Sequence, residues 1–150
     1  MAEEFVLIDI NVLIRWAQRE APSFRIVGTA IKQLMRSRVE PCYTSQNLGE
    51  FWNVLTRPVD RNGFGFTPAT ADVRAKAIEA AFRLLPDGPA VHDEWRRLLV
   101  DYSISGIQVH DARLVAAMRV HGVKRILTFN TRDFARFTDI EAIHPADLAK

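Results

Sequence analysis

The chain has a single cysteine, Cys42, so no intrachain disulfide can form. Cys42 falls in a short strand-like run and reads as a small buried hydrophobe rather than a reactive thiol. One cysteine also fits a reducing compartment. Long apolar runs are missing: nothing approaches the roughly 18 apolar residues of a membrane span. The opening Met-Ala-Glu-Glu leads into only a short apolar stretch, without the basic start and longer apolar segment of a secretory signal. The expectation is a cytoplasmic protein with no membrane association. Lysine is scarce, with four (Lys32, Lys76, Lys124 and Lys150) among 20 basic residues. The rest are arginines, whose planar fork grips phosphate and carboxylate, although an arginine-rich genome gives the same bias. A large charge of one sign is absent too. The net charge of +2, from 20 Lys+Arg against 18 Asp+Glu, does not by itself diagnose a nucleic-acid binder.

What is present suits one globular domain over residues 1–150. The hydrophobic fraction is 48% and the charged fraction 25%, enough for a core that needs no disulfide or structural zinc. There is no internal repeat. Short apolar runs alternate with helical patterning. Strands are expected at 5–8, 41–44, 107–109 and 126–129, with a fifth at 140–143. Helices are expected over 12–19, 24–38, around Leu48 to Leu55, over 70–85, 91–102 and 112–121, the last closed by Gly122. Residues 58–68, rich in Gly and Pro, form a loop. This alternation predicts an α/β fold, a three-layer α/β/α sandwich around a mostly parallel sheet of four to five strands. In such sheets ligands bind beyond the carboxyl ends of the strands.

Polar residues gather at those ends. Asp9 follows the first strand, with Asn11 two residues on. Glu50 follows the second at the start of its helix, Asp111 follows the third, and Asn130 and Asp133 follow the fourth. In a parallel sheet all of them meet at one edge. Carboxylates crowded there repel one another, and a hard divalent cation with oxygen ligands relieves the repulsion. A metal so held activates water and polarises a phosphoryl oxygen, which points to metal-assisted phosphodiester hydrolysis. No His/Cys cluster competes. Each residue also has a plainer explanation. Asp9 or Asn11 can cap a helix, and Asn47 to Glu50 has the spacing of a capping box. Asp133 can cap or pair with an arginine. Asp111 resists this treatment, because it shares a helix face with Leu114, Val115 and Met118, where an aspartate is costly unless it caps or binds something. Joint placement after successive strands carries the case.

Four segments together resemble the PIN-domain family, and more closely its VapC-type toxins: Leu-Ile-Asp-Ile-Asn-Val-Leu-Ile, Asn-Leu-Gly-Glu-Phe-Trp-Asn-Val-Leu-Thr-Arg-Pro, Val-His-Asp-Ala-Arg-Leu-Val-Ala-Ala-Met and Leu-Thr-Phe-Asn-Thr-Arg-Asp-Phe. The resemblance implies a magnesium- or manganese-dependent endoribonuclease, the toxin of a toxin–antitoxin pair. It carries the family's acidic ligands onto Asp9, Glu50 and Asp111. The fourth acidic position falls on Asn130, which adds no charge, or on nearby Asp133. Asn11 and Thr128 match polar residues that support the acids; Ile10 replaces a small hydroxyl residue.

The implied roles are metal binding by Asp9 and Asp111 with help from Glu50, in-line attack by water, and products with 5′-phosphate and 3′-hydroxyl ends. Arg113, Arg132 and Arg61 are candidate RNA contacts. Phe64 and Phe66 either form a stacking wall for unpaired bases or tuck into the core. Trp52 and Trp95 read as core packing. The implied partners are RNA, a cognate antitoxin and a second copy in a homodimer. A dehalogenase-like phosphatase would need an aspartate at Asn11. A PIN-fold module that binds RNA or protein without cutting is the non-enzymatic alternative, favoured by Asn130.

Overall fold

The computed structural model describes residues 4–18 and 23–148. Among them, five strands form one sheet: β1 (Glu4–Ile8), β2 (Val39–Thr44), β3 (Arg83–Leu85), β4 (Arg125–Leu127) and β5 (Glu141–Ile143). Every strand pair is parallel and the order is β3-β2-β1-β4-β5. Val6, Leu7 and Ile8 of the central strand are fully buried, as a strand covered on both faces must be. Side chains alternate across it. Val6 and Ile8 enter one core, while Leu7 enters the other beside Cys42 and Ile126.

Among the described residues, seven α-helices cover the two faces. Helices α1 (Ile10–Ala17), α2 (Ser23–Arg36), α3 (Ser45–Thr56) and α4 (Pro68–Ala81) contribute to the core of Val6 and Ile8, and α7 (Pro145–Leu148) adds Leu148. Helices α5 (Pro89–Asp101) and α6 (Gln108–Val120) build the core of Leu7. The chain steps from β1 to β3 over the first face and returns to β4 over the second, as a constant crossover hand requires. Cys42 is buried, its thiol pushed up to about 12 mainly by burial, and it donates to the Val6 carbonyl at 3.2 Å. It is an inert part of the core. None of the described helices is long and apolar enough to cross a membrane.

Local chemistry explains most boundaries. Asp9 caps α1, and Thr67 caps α4 with Pro68 at its first position. Gly122, at φ +69°, turns the chain after α6. Three expectations are corrected. Residues 107–109 are not a strand; α6 begins at Gln108, and Ile107 is 86% exposed. The expected helix over 70–85 stops at Ala81, and residues 83–85 are the edge strand β3, paired with Cys42–Thr44. Its apolar pattern continues the helical run, so only pairing with β2 distinguishes it. The capping box lies one turn earlier than expected: Thr44 and Asn47 cap each other's backbone, which leaves Glu50 in the second turn of α3. The expected end of the first helix at Arg19 falls outside the described residues.

The loop between α3 and α4 turns back on the end of α3. It contains a 3-10 turn, Val59–Arg61, and the N–H groups of Phe64, Gly65 and Phe66 donate to Val54, Arg57 and Leu55. Phe64 and Phe66 are half-buried, pack on the first core and meet edge-on at 5.6 Å. Trp52 packs on the same core. A Cβ on Gly63 would lie 2.0 Å from the Arg57 carbonyl oxygen, whereas one on Gly28, inside α2, would meet nothing within 4 Å. Gly63→Ala is therefore expected to cost about 2–3 kcal/mol, or about 5–10 °C in Tm. Gly28→Ala is expected to add about 0.5–1 kcal/mol. Thermal melts of the two variants check both signs.

Candidate active site at the strand carboxyl ends

The strand order changes direction between β1 and β4, since β2 and β3 lie on one side of β1 and β4 and β5 on the other. A crevice at such a point is where open α/β sheets bind ligands. Asp9 leaves β1 there. It is 5% exposed, and its N–H donates to the Leu127 carbonyl at 3.0 Å, which keeps the two strands together up to the site. Its carboxylate has two tasks. Oδ1 accepts from the Ile10 N–H at 2.8 Å and starts α1. Oδ2 accepts from Thr128 Oγ1 at 2.8 Å and from Asn11 Nδ2 at 3.4 Å. Capping and site-building are thus compatible roles of one residue.

Thr128 and Asn11 complete this cradle. Thr128 Oγ1 accepts from the Asn130 N–H at 3.0 Å and from Asn11 Nδ2 at 3.3 Å. Asn11 Oδ1 accepts from the Phe129 N–H at 3.2 Å. Burial pushes the Asp9 carboxyl upward; the Thr128 and Ile10 hydrogen bonds oppose this, and the Glu50 and Asp133 charges add to it.

The other acids come from three further elements. Glu50 is half-buried on α3, and its Oε1 accepts from Gln46 Nε2 at 2.9 Å. Asp111 is half-buried in the first turn of α6, on the face of the buried Leu114, Val115 and Met118. Its carboxyl is pushed up to about 7, first by burial and then by the charges of Asp9, Asp133 and Glu50. A helix N-terminus ordinarily favours a carboxylate; here burial and like charges outweigh it. Asp133 lies exposed in the 3-10 turn Thr131–Phe134. Its charge reaches Asp9 and Asp111, so four carboxylates act as one set. Asn130 is exposed and joins through its backbone N–H.

The candidate arginines differ. Arg113 pairs with Asp87 at 3.6 Å and lies over the Trp95 ring. Arg132 is exposed beside Asp133, and Arg61 is exposed in the α3–α4 loop. Two residues, Gln46 and Arg15, escaped the sequence reading, as did one hydrogen bond of Trp95. Gln46 bridges Glu50 and the His110 carbonyl. Trp95, besides packing on the second core, donates to the Val109 carbonyl at 2.9 Å. Arg15 donates to the Asn11 carbonyl at 2.8 Å, with its guanidinium 4.4 Å from the Phe129 ring centre. Only Gln46 had a readable signal, its i,i+4 spacing from Glu50.

The donor set is all oxygen and mutually repulsive, which suits a hard divalent cation. Among the described residues, no three His, Cys, Asp or Glu side chains form a ready-made metal-holding group.

The Asp111 shift has a signed consequence for stability. Its folded pKa of about 7 lies above its ordinary value of 3.8, so its ionisation opposes folding. Without metal, this group's contribution is most favourable below pH 4 and is lost as pH rises through about 7. Asp111→Asn is expected to match wild type near pH 4 and to melt higher at pH 8, by roughly 1 kcal/mol or about 3 °C after solvent screening. Manganese should close the gap. Melting curves at the two pH values, with and without the ion, test this.

Comparison with solved structures gives the same fold. VapBC2 from Rickettsia felis, solved with a promoter DNA fragment, is 10% identical over 93% of this chain and 98% of that chain, with a TM-score of 0.69. VapC20 of Mycobacterium tuberculosis, a toxin described as cleaving the sarcin-ricin loop, is 19% identical over 88% and 95%, with a TM-score of 0.63. A toxin–antitoxin complex from Klebsiella pneumoniae is 18% identical over 93% and 97%, with a TM-score of 0.61. Comparison with curated proteins gives no match. The family model for the PIN domain matches residues 6–140, a span that holds Asp9, Glu50, Asp111 and Asp133 as well as most of β1 and all of β2, β3 and β4, and this chain belongs to that family.

Proposed function

We propose that this chain is a magnesium- or manganese-dependent endoribonuclease, a VapC-type toxin working as one PIN domain with a cognate antitoxin and as a homodimer. The observation that carries the reading is the coupled set of four carboxylates at the β1/β4 crevice, with Asp111 pushed up to about 7 by burial and the three others. So costly an arrangement is kept where a cation offsets it. The named similarities support the partner: structures of the same fold are VapBC and toxin–antitoxin complexes.

Asp9 and Asp111 would hold the ion, with Glu50 and Asp133 supplying further charge and Asn130 a neutral carbonyl. When bound, the ion supplies the charge that activates water and polarises a phosphoryl oxygen. The chain supplies position. Thr128 and Asn11 hold Asp9 Oδ2, and Ile10 holds Oδ1, so the ligand is oriented before substrate arrives. Arg132 and Arg61 are exposed and suited to meeting the RNA backbone. Arg113 is already engaged by Asp87 and Trp95 and is the weakest of the three.

The test is cleavage of end-labelled structured and single-stranded RNAs with and without manganese. Wild type is expected to cut only with the metal, leaving 5′-phosphate and 3′-hydroxyl ends. Asp9→Asn and Asp111→Asn are each expected to lose about 100-fold or more in rate. Cutting that survives both changes, or products ending in cyclic phosphate, would sink the assignment. A folded wild type that binds RNA and never cuts would establish the non-enzymatic module instead.

A further inference from the structure

We propose that Gln46 is a positioning residue of the acidic site, fixing Glu50 to the first turn of α6 and thereby setting how Glu50 and Asp111 face a shared cation. The inference rests on the metal-dependent reading above. Gln46 Nε2 donates to Glu50 Oε1 and to the His110 carbonyl, both at 2.9 Å. Each partner is only an acceptor, so the nitrogen end of the carboxamide must face them. That orientation leaves Gln46 Oε1 buried without a protein partner, a cost that the two Nε2 bonds offset.

Two side chains from other helices tie the start of α6 to its neighbours by donating to carbonyls of its first turn: Trp95 of α5 to Val109, and Gln46 of α3 to His110. Asp111 is the next residue. A carboxamide also suits this place better than a cation. Lysine or arginine would pin Glu50 equally well but would neutralise the charge that draws a metal. Groups that orient metal ligands in this way typically change metal affinity about 10–100-fold when removed.

The experiment measures Mn2+ binding by calorimetry and by the spin-resonance signal of free ion, without RNA. It compares wild type, Gln46→Met, Glu50→Gln and the double variant, with Gln46→Asn as a shorter amide should Gln46→Met fail to fold. Gln46→Met is expected to keep the wild-type circular dichroism and to weaken Mn2+ about 10–100-fold. In the Glu50→Gln background the same change should add little, because the two residues act as a unit. RNA cleavage by Gln46→Met should recover towards the wild-type rate as Mn2+ is raised. Wild-type affinity in Gln46→Met, or full additivity in the double variant, overturns the proposal while leaving the nuclease intact. A wild type that binds no Mn2+ removes the nuclease reading and this one together.

Discussion

Asp9 places a carboxylate where water is nearly excluded, and the surrounding structure is arranged around the consequences. One oxygen starts α1; the other is held by Thr128 and Asn11 from across the β1/β4 junction. Those bonds need β1 and β4 to be neighbours, which needs the chain to reverse its direction of travel across the sheet after β3. That reversal in turn sends α5 and α6 to the opposite face from α1 to α4 and splits the core in two. A hydrogen-bonding demand at one residue and the layer architecture of the whole fold are thus consistent with each other, as a well-specified fold requires.

Charge is the second constraint. Burial, and then each neighbouring carboxylate, makes an acid at the crevice harder to ionise, and Asp111 shows the result. The fold tolerates this because the acids are fixed by separate elements: Asp9 by two strands, Glu50 by α3, Asp111 by α6 and Asp133 by a short turn. Asp111 lies on the face that carries Leu114, Val115 and Met118 into the second core. Core packing therefore holds Asp111 among like charges.

The sequence was informative where a residue's role depends on its immediate neighbours. The cap at Asp9 and the glycine after α6 need only residues within a turn. The buried central strand announces itself through Val6, Leu7 and Ile8. Misreadings arose where two local patterns were equally good. Residues 83–85 continue a helical apolar run, and only pairing with Cys42–Thr44 makes them a strand. Ile107 and Val109 look like a strand but have no sheet edge beside them, and Ile107 faces solvent. The capping box moved to Thr44 because β2 ends there, a boundary that pairing with β1 and β3 sets.

By itself, the sequence determined the fold class, the buried central strand and most of the helices, since hydrophobic periodicity is a local property of the chain. Tertiary structure decided how those residues work together. It put β4 rather than β3 beside β1, joined Thr128 to Asp9 across 119 positions, brought Gln46 to the start of α6, and occupied Arg113 with Asp87 and Trp95. The physical reason is the same in each case: a hydrogen bond or ion pair between distant residues has no periodicity to read, and the partner is set only when the sheet has chosen its order.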